Sequence, residues 1–214
     1  METIAGIRIP DSALTREATE LARATSPGFL LRHAQRTYVF GMLLTAQAGM
    51  TVREELGYVA ALLHDLGLTE RYAGPRRFEV EGAETARDWA HAQGLSEDEA
   101  QVVWDAIALH TSVGIAALRG PEAALVQWGA GADVMGMAAN QFDSDTVRAV
   151  LAELPRDGFG PAFYDLVDTT AARNPGNYAQ TWLAATAQRH SDAPLPTSEN
   201  TLGAEPFQAV DTAW

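Results

Sequence analysis

The stretch YVAALLHDLG, residues 58–67, ends an apolar run with two side chains that can bind metal, His64 and Asp65. Neutral imidazole and carboxylate are both good ligands for divalent zinc, iron or manganese. Because neighbouring helical residues point about 100° apart, a helix brings these two side chains together only near its end. Burying them among leucines is costly without a partner, and a metal ion is one such partner. The stretch therefore predicts a buried helix that ends at a metal site.

Composition narrows the class of protein. The chain has 214 residues, is 47% hydrophobic, contains no cysteine and carries a formal net charge of −13. This length fits one domain with a substantial core. Without cysteine, disulfides and thiolate ligands are excluded, so any metal must be held by His, Asp and Glu. The acidic balance argues against nucleic acid as a partner, because phosphate binding needs a basic face.

Targeting signals are also missing from the sequence. The longest apolar stretches are interrupted by charge and fall short of a membrane span. The first residues lack the basic region and apolar segment of a secretion signal. We therefore expect a cytoplasmic protein that acts on a small-molecule substrate, with no membrane partner. A homo-oligomer is compatible with the sequence.

Hydrophobic periodicity predicts an all-α protein, since no convincing alternation of β-branched residues occurs. Capping-box patterns stand at Thr51–Glu54 and Ser96–Glu99. Residues 1–190 are predicted to form one domain, and the proline-containing tail over 191–214 is predicted to be extended or partly disordered. Predicted helices cover about 17–24, 29–47, 51–65, 79–93, 99–111, 122–140, 145–154, 163–172 and 178–190.

Three further ionisable residues stand in strongly apolar helical settings: His33, His110 and Asp133. A lone histidine on such a face is more often a hydrogen-bonded core residue than a ligand. A lone aspartate there can bond to neighbouring backbone. Metal sites in all-helical proteins, however, collect ligands from several helices, and the joint pattern with the dyad fits that arrangement.

The order His33, then His64-Asp65, then Asp133 resembles the HD-domain superfamily of metal-dependent helical proteins. The resemblance runs from about residue 31 to 133. It implies a single helical HD domain with a motif core of about 29–140. It also implies that these four residues are the metal ligands.

A second comparison with that superfamily concerns the number of metals. Many two-metal members have a histidine in a segment of the form His-Glu-x-x-Gly-Ala, where this chain has Phe78 in RFEVEGA, residues 77–83. The resemblance therefore implies one divalent ion, with zinc expected and iron or manganese as alternatives. It leaves His110 for substrate contact or proton transfer, unless that histidine is only structural.

Local strings are most similar to the cyanamide hydratase branch of the superfamily: HAQRTYVFG at 33–41, LHDLGLT at 63–69, RFEVEGA at 77–83 and WDAIALHT at 104–111. Members of that branch hydrate cyanamide to urea at a zinc site. The resemblance implies that metal-bound hydroxide attacks a small electrophilic carbon. Asp65 is then expected to accept the water proton and His110 to donate one. Expected substrate contacts are Arg36, Tyr38, Phe78 and Trp104, although core packing also explains the aromatic residues.

Two other functions remain open at this point. A phosphohydrolase acting on a nucleotide or phosphomonoester would use the same four ligands but needs cations to hold phosphate. Arg36 and Arg76-Arg77 are the candidates, and the chain contains no lysine. A non-catalytic helical binding module is the third alternative. Retention of all four expected ligands argues against it.

Overall fold

Residues 3–196 are described by the computed structural model of the chain, and almost all of their regular structure is helical. This confirms the all-α class. The chain divides into two compact units, residues 1–164 and 165–214, which are described separately below. None of the described helices is long and apolar enough to cross a membrane.

The first unit opens with a small hairpin that sequence periodicity did not predict. Strands β1 (Thr3–Ile4) and β2 (Ile7–Arg8) pair antiparallel around a tight turn. Two-residue strands are too short to produce a visible alternation. The helices of this unit are α1 (Ala13–Thr25), α2 (Gly28–Gln47), α3 (Glu54–Leu63), α4 (Phe78–Ala92), α5 (Glu97–Ala108), α6 (Pro121–Met135), α7 (Ser144–Glu153) and the start of α8 (Phe159–Arg173).

The second unit contains the remainder of α8, a 3-10 turn at Pro175–Tyr178 and the short helix α9 (Ala184–Gln188). The helix predicted over 178–190 is therefore shorter than expected. Residues 191–196 form neither helix nor strand. The rest of the predicted tail lies outside the described residues. The domain boundary at residue 190 stays a prediction.

Helices α2 and α6 pack at backbone contact. A Cβ on Gly129 would lie 2.0 Å from the carbonyl oxygen of Thr37, and one on Gly41 would lie 2.3 Å from that of Leu125. Only glycine allows two helices to approach so closely at these points. The close approach brings His33 of α2 beside Asp133 of α6, which are 100 residues apart in sequence.

Helix starts agree only partly with the predicted capping boxes. The box at Ser96 is confirmed, because its hydroxyl accepts from the Glu99 N–H while the Glu99 carboxylate accepts from the Ser96 N–H. The box at Thr51 is wrong. Helix α3 begins after Arg53, whose N–H donates to the buried Glu122 carboxylate at 3.0 Å. A carboxylate from α6 thus replaces the predicted local cap.

Helices α5 and α6 end at least three residues earlier than predicted. Helix α6 stops at Met135 rather than near residue 140, because Gly136 takes a left-handed conformation with φ 67°. Helix α5 stops at Ala108 rather than at 111. His110 therefore lies in the turn beyond α5 and not on a helix.

The end of α3 forms the floor of the candidate site. All but the first two residues of this helix are buried, and a 3-10 turn at Leu66–Leu68 follows the dyad. A Cβ on Gly67 would lie 2.0 Å from the carbonyl oxygen of Phe78. Glycine at this position therefore lets α4 begin directly against the His64-Asp65 pair.

Candidate metal centre

Three of the predicted ligands converge in the structure: His33, His64 and Asp65. The Nε2 atoms of the two histidines are 3.2 Å apart. The Oδ2 atom of Asp65 is 3.2 Å from His64 Nε2 and 3.5 Å from His33 Nε2. All three side chains are buried, with the histidines at most 1% exposed.

The hydrogen-bond pattern leaves these three atoms without a donor. His33 Nδ1 lies 2.7 Å from a carboxylate oxygen of Asp133, and His64 Nδ1 lies 2.8 Å from the carbonyl oxygen of Ala61. Both partners are acceptors, so each Nδ1 donates, and each ring presents a lone pair at Nε2 when that ring is neutral. Asp65 Oδ2 is buried and accepts no hydrogen bond. Three lone pairs that face one another need a cation between them, which is the requirement a divalent metal meets.

Electrostatics at the cluster favour the same conclusion. Burial opposes charge on His64, but Asp65 beside it outweighs burial and raises the pKa of His64. Burial lowers the pKa of His33 despite its bond to Asp133. Burial alone would raise the pKa of Asp65, but the neighbouring imidazole of His64 holds it well below its usual range. The pocket therefore keeps an ionised carboxylate and stabilises positive charge beside it.

Asp133, the fourth predicted ligand, lies behind His33 rather than in the group of three. Its Oδ2 accepts from His33 Nδ1 and from Arg36 Nη2 at 2.8 Å, and its Oδ1 accepts from Arg36 Nε at 2.8 Å. These bonds outweigh burial and lower the pKa of Asp133. In this geometry Asp133 holds the ring of His33 in place. Direct ligation by Asp133 stays a prediction.

Arg36 does not lie where a substrate contact was expected. Its side chain is 0% exposed and is spent on the bidentate pair with Asp133 and on the carbonyl oxygens of Leu154 and Pro155. The expectation overlooked that a charged residue one turn after His33 on the same helix face is carried into the core with it. The pair is buried and all three guanidinium nitrogens of Arg36 donate, so Arg36 supports the site through Asp133.

The connection between α7 and α8, together with the first residues of α8, contributes residues that sequence reasoning missed. Arg156 donates to Asp133 Oδ1 at 3.1 Å and also to its main-chain oxygen. The rings of Phe159 and Phe163 pack on the His33 imidazole with centroids 5.2 and 5.6 Å away. Arg156 in turn lies over the Phe159 ring. An Arg-x-x-Phe spacing after a proline is not specific to any site, so these contacts are visible only in the structure.

His110 lies on the opposite side of the dyad. Its Nδ1 donates to the carbonyl oxygen of Ile107 at 2.6 Å, and its Nε2 is 3.7 Å from Asp65 Oδ1. Burial and the positive field of His64 lower the pKa of His110 to about 4. The imidazole is therefore neutral near pH 7 and presents an acceptor toward the site. Such a ring accepts a proton before it can donate one, and the role of His110 as proton donor stays a prediction.

Phe78 is the one predicted substrate contact that the structure brings to the site, with its ring 5.7 Å from that of His110. Tyr38 instead packs edge-on against Tyr58, because five residues after His33 the helix has turned to another face. The Trp104 indole donates to Glu84 at 3.1 Å and bridges α5 to α4. For Tyr38 and Trp104 the geometry supports a role in core packing.

Comparison with known proteins agrees with this geometry. The model of the HD domain family matches residues 30–144, more than half of the chain. Two cyanamide hydratases of Saccharomyces cerevisiae, DDI2 and DDI3, are each 27% identical to this chain over 174 residues, covering 78% of this chain and 76% of each relative. The match and the His-His-Asp cluster together support a metal-dependent enzyme.

Proposed function

The chain belongs to the HD domain family, and we propose that it is a hydratase that adds water to a small nitrile, with cyanamide as substrate and urea as product. The observation that carries the metal-dependent part is the convergence of three acceptor atoms without a donor between them. The similarity to two cyanamide hydratases supports the choice of substrate.

The residues fit one divalent ion, with zinc the first choice and iron or manganese as alternatives. His33 and His64 would hold it through Nε2 and Asp65 through its carboxylate, while Asp133 would fix the His33 ring. When bound, such an ion supplies Lewis-acid activation of water, whose pKa falls to about 7 in zinc enzymes. A carboxylate or carbonyl that accepts the second ring N–H of a ligating histidine is the usual supporting arrangement for such a site.

His110 is the group we assign to proton transfer. Hydration of cyanamide breaks both π bonds of the nitrile: the water oxygen bonds to carbon and becomes the carbonyl oxygen of urea, and both water protons move to the nitrile nitrogen. A neutral Nε2 facing Asp65 at 3.7 Å is placed to accept one of these protons and return it. Asp65 Oδ1 assists by stabilising the imidazolium that forms. Phe78 would close the apolar side of the pocket.

Phosphohydrolysis is less well supported. It needs cations that can turn toward phosphate. The arginines it would use are already paired with carboxylates: Arg36 with Asp133, Arg77 with Glu79 and Arg76 with Glu81. Breaking such a pair to bind phosphate would leave an uncompensated carboxylate.

The test is metal content by elemental analysis together with urea formation from cyanamide. We expect one metal per chain and urea from the wild-type protein. His110→Gln should keep the metal and lose about a hundredfold in kcat, as usual for a general acid or base. His91→Gln, an exposed histidine on α4, is the matched control and should behave as wild type.

The results that would contradict this function are equally specific. Metal without urea overturns the hydratase proposal, and hydrolysis of nucleotides or p-nitrophenyl phosphate by the same sample would identify the alternative. Protein without metal after reconstitution with zinc, iron or manganese would overturn the ligand assignment.

A further inference from the structure

The His110 ring donates from Nδ1 to the Ile107 carbonyl oxygen at 2.6 Å, but the backbone N–H of His110 does little to fix the turn that carries the ring. Helix α5 ends at Ala108, and the His110 N–H reaches the Ile107 carbonyl oxygen at 3.4 Å. That distance lies beyond the usual range for such a bond. The ring is thus tied to Ile107, and the turn that carries it also depends on contacts made beyond the helix.

A buried carboxylate that the proposed reaction does not use holds this turn. Glu79, on the first turn of α4, is 1% exposed. Its Oε1 accepts from the Thr111 hydroxyl at 2.7 Å and from Arg77 Nη2 at 2.6 Å. Arg77 Nη2 also donates to the Thr111 hydroxyl at 3.2 Å. The hydroxyl thus has both a fixed acceptor and a fixed donor, which sets its orientation.

These contacts join residues next in sequence to the two rings at the site, Phe78 and His110. Arg77 precedes Phe78 in the chain and Thr111 follows His110, so the tie joins the two segments on which those rings stand. The rings themselves meet edge-on at 5.7 Å. A bond between residues on either side of a packed pair restrains both partners, because neither segment can shift without stretching it.

We infer that Glu79 positions His110 for proton transfer by binding the hydroxyl of Thr111, which makes Glu79 and Thr111 positioning residues of the reaction. Arg77 balances the charge of Glu79 and so allows a carboxylate to be buried there. This inference rests on the role of His110 in the proposed function. It gives the cluster of Arg77, Glu79 and Thr111 a second function, beyond joining α4 to the turn after α5.

A second carboxylate–guanidinium pair near the start of α4 provides a matched control. Glu81 binds Arg76 through its Nη2 at 3.0 Å and through its main-chain N–H at 2.9 Å. It therefore fixes the loop before α4 and does not reach the turn after α5. Glu81→Gln perturbs the same helix with the same chemical change.

The kinetic test compares Thr111→Val, Thr111→Ser and Glu81→Gln with the wild type on cyanamide. Thr111→Val removes the hydroxyl but leaves Glu79 paired with Arg77, so the fold should persist. We expect its kcat to fall roughly tenfold to a hundredfold, since small misplacements of a reacting group cost that much. KM and metal content should stay unchanged. Thr111→Ser and Glu81→Gln should retain nearly wild-type kcat.

Nitrogen-15 NMR of histidine-labelled, zinc-treated full-length protein gives a readout independent of turnover. His110 signals are assigned by their loss in His110→Gln. The wild type, Thr111→Ser and Glu81→Gln should show one Nδ1-protonated tautomer, and Thr111→Val should show exchange between tautomers or orientations. If the wild type makes no urea, the proposed function fails and this measurement alone decides the inference.

Two outcomes overturn the inference. In one, Thr111→Val keeps the wild-type His110 signals, and wild-type kcat where turnover is measurable. In the other, Thr111→Ser is as impaired as Thr111→Val although its hydroxyl remains, which would mean that the methyl group matters and not the tie to Glu79.

Discussion

The two sides of the metal cluster are built differently. On the His33 side, the ring nitrogen away from the cluster binds a carboxylate from another helix, which is itself held by Arg36 and Arg156. On the His110 side, the corresponding nitrogen binds a carbonyl three residues back, and a single hydroxyl ties the turn to α4. The first side, which we call the brace, consists of Asp133, Arg36 and Arg156, charged residues that are far apart in sequence. Such a rigid support suits a metal ligand. The second side has fewer contacts, and the carbonyl that binds the ring is close in sequence. This arrangement suits a group that exchanges a proton.

Asp65 belongs to both sides, and its removal should have the largest effect. Its Oδ2 faces His33 and His64 while its Oδ1 faces His110. In Asp65→Ala we expect metal content at background and urea formation reduced by more than about a thousandfold, because metal activation supplies several kcal/mol. Elemental analysis and the urea assay measure both. Appreciable metal-dependent activity in this variant would overturn the ligand assignment.

Breaking the brace should cost stability as well as metal binding. Arg36→Met leaves Asp133 buried without its bidentate partner, and removing one member of a buried pair costs about 3–5 kcal/mol. Urea denaturation would measure the loss. Arg23→Met, at an exposed pair with Glu20 on α1, should change stability by less than about 0.5 kcal/mol. A comparable loss in both variants would mean that the brace contributes nothing special.

When a chelator has removed the metal, the two sides should lose stability over different ranges of pH. The pKa of His110 is lowered to about 4, so its contribution to stability is complete above its ordinary value near 6.5 and is lost as pH falls toward 4. The loss is about 3 kcal/mol. The lowered pKa of Asp133 acts only below about 4, where stability falls as that carboxylate protonates.

The difference between wild type and His110→Gln isolates this contribution, because His64 is present in both proteins. Free energies of unfolding at several pH values should converge for the two proteins as pH falls from 6.5 to 4. A constant difference over that window would contradict a buried neutral His110.

The smallest effect is expected at the outer end of the brace. Arg156 is 39% exposed on its side chain, and Arg36 still holds Asp133 when it is lost. Arg156→Ala should cost about 1 kcal/mol or less. Metal affinity, measured by competition with a chelator, should weaken by about tenfold at most, at the low end for a residue that supports a ligand. A larger loss of stability or metal affinity would mean that Arg156 holds Asp133 more firmly than the exposure of its side chain indicates.

This contrast also explains what could be predicted from sequence. The dyad, its helix and its glycine form one contiguous string whose chemistry is local, and His33 and His110 stood out as histidines on apolar faces. Their convergence with the dyad followed from helix packing. Glu79 matches the glutamate of the His-Glu-x-x-Gly-Ala pattern in the quoted segment 77–83, but its bond to Thr111 could not be predicted because Thr111 lies 32 residues away.

The brace was unpredictable because its members are far apart in sequence. Arg36 looked like a free cation, and only the packing of α2 against α6 reveals that it is consumed by Asp133, 97 residues away. Arg156 and Phe159 lie beyond residue 144, where the family match ends. Capping was misjudged at α3 for the same reason, since Glu122 supplies from a distance what Thr51 was expected to supply locally.

The convergence of three donor-free atoms has a consequence for the amount of protein a cell can maintain. Metal binds the folded chain and not the unfolded one, so it adds about 4 kcal/mol of stability when its free concentration is a thousand times the Kd. Starvation for that metal would remove this increment and enlarge the unfolded fraction that proteases degrade. Supply of the ion would thereby set abundance as well as activity, and a pulse-chase with and without a chelator would measure it as a half-life.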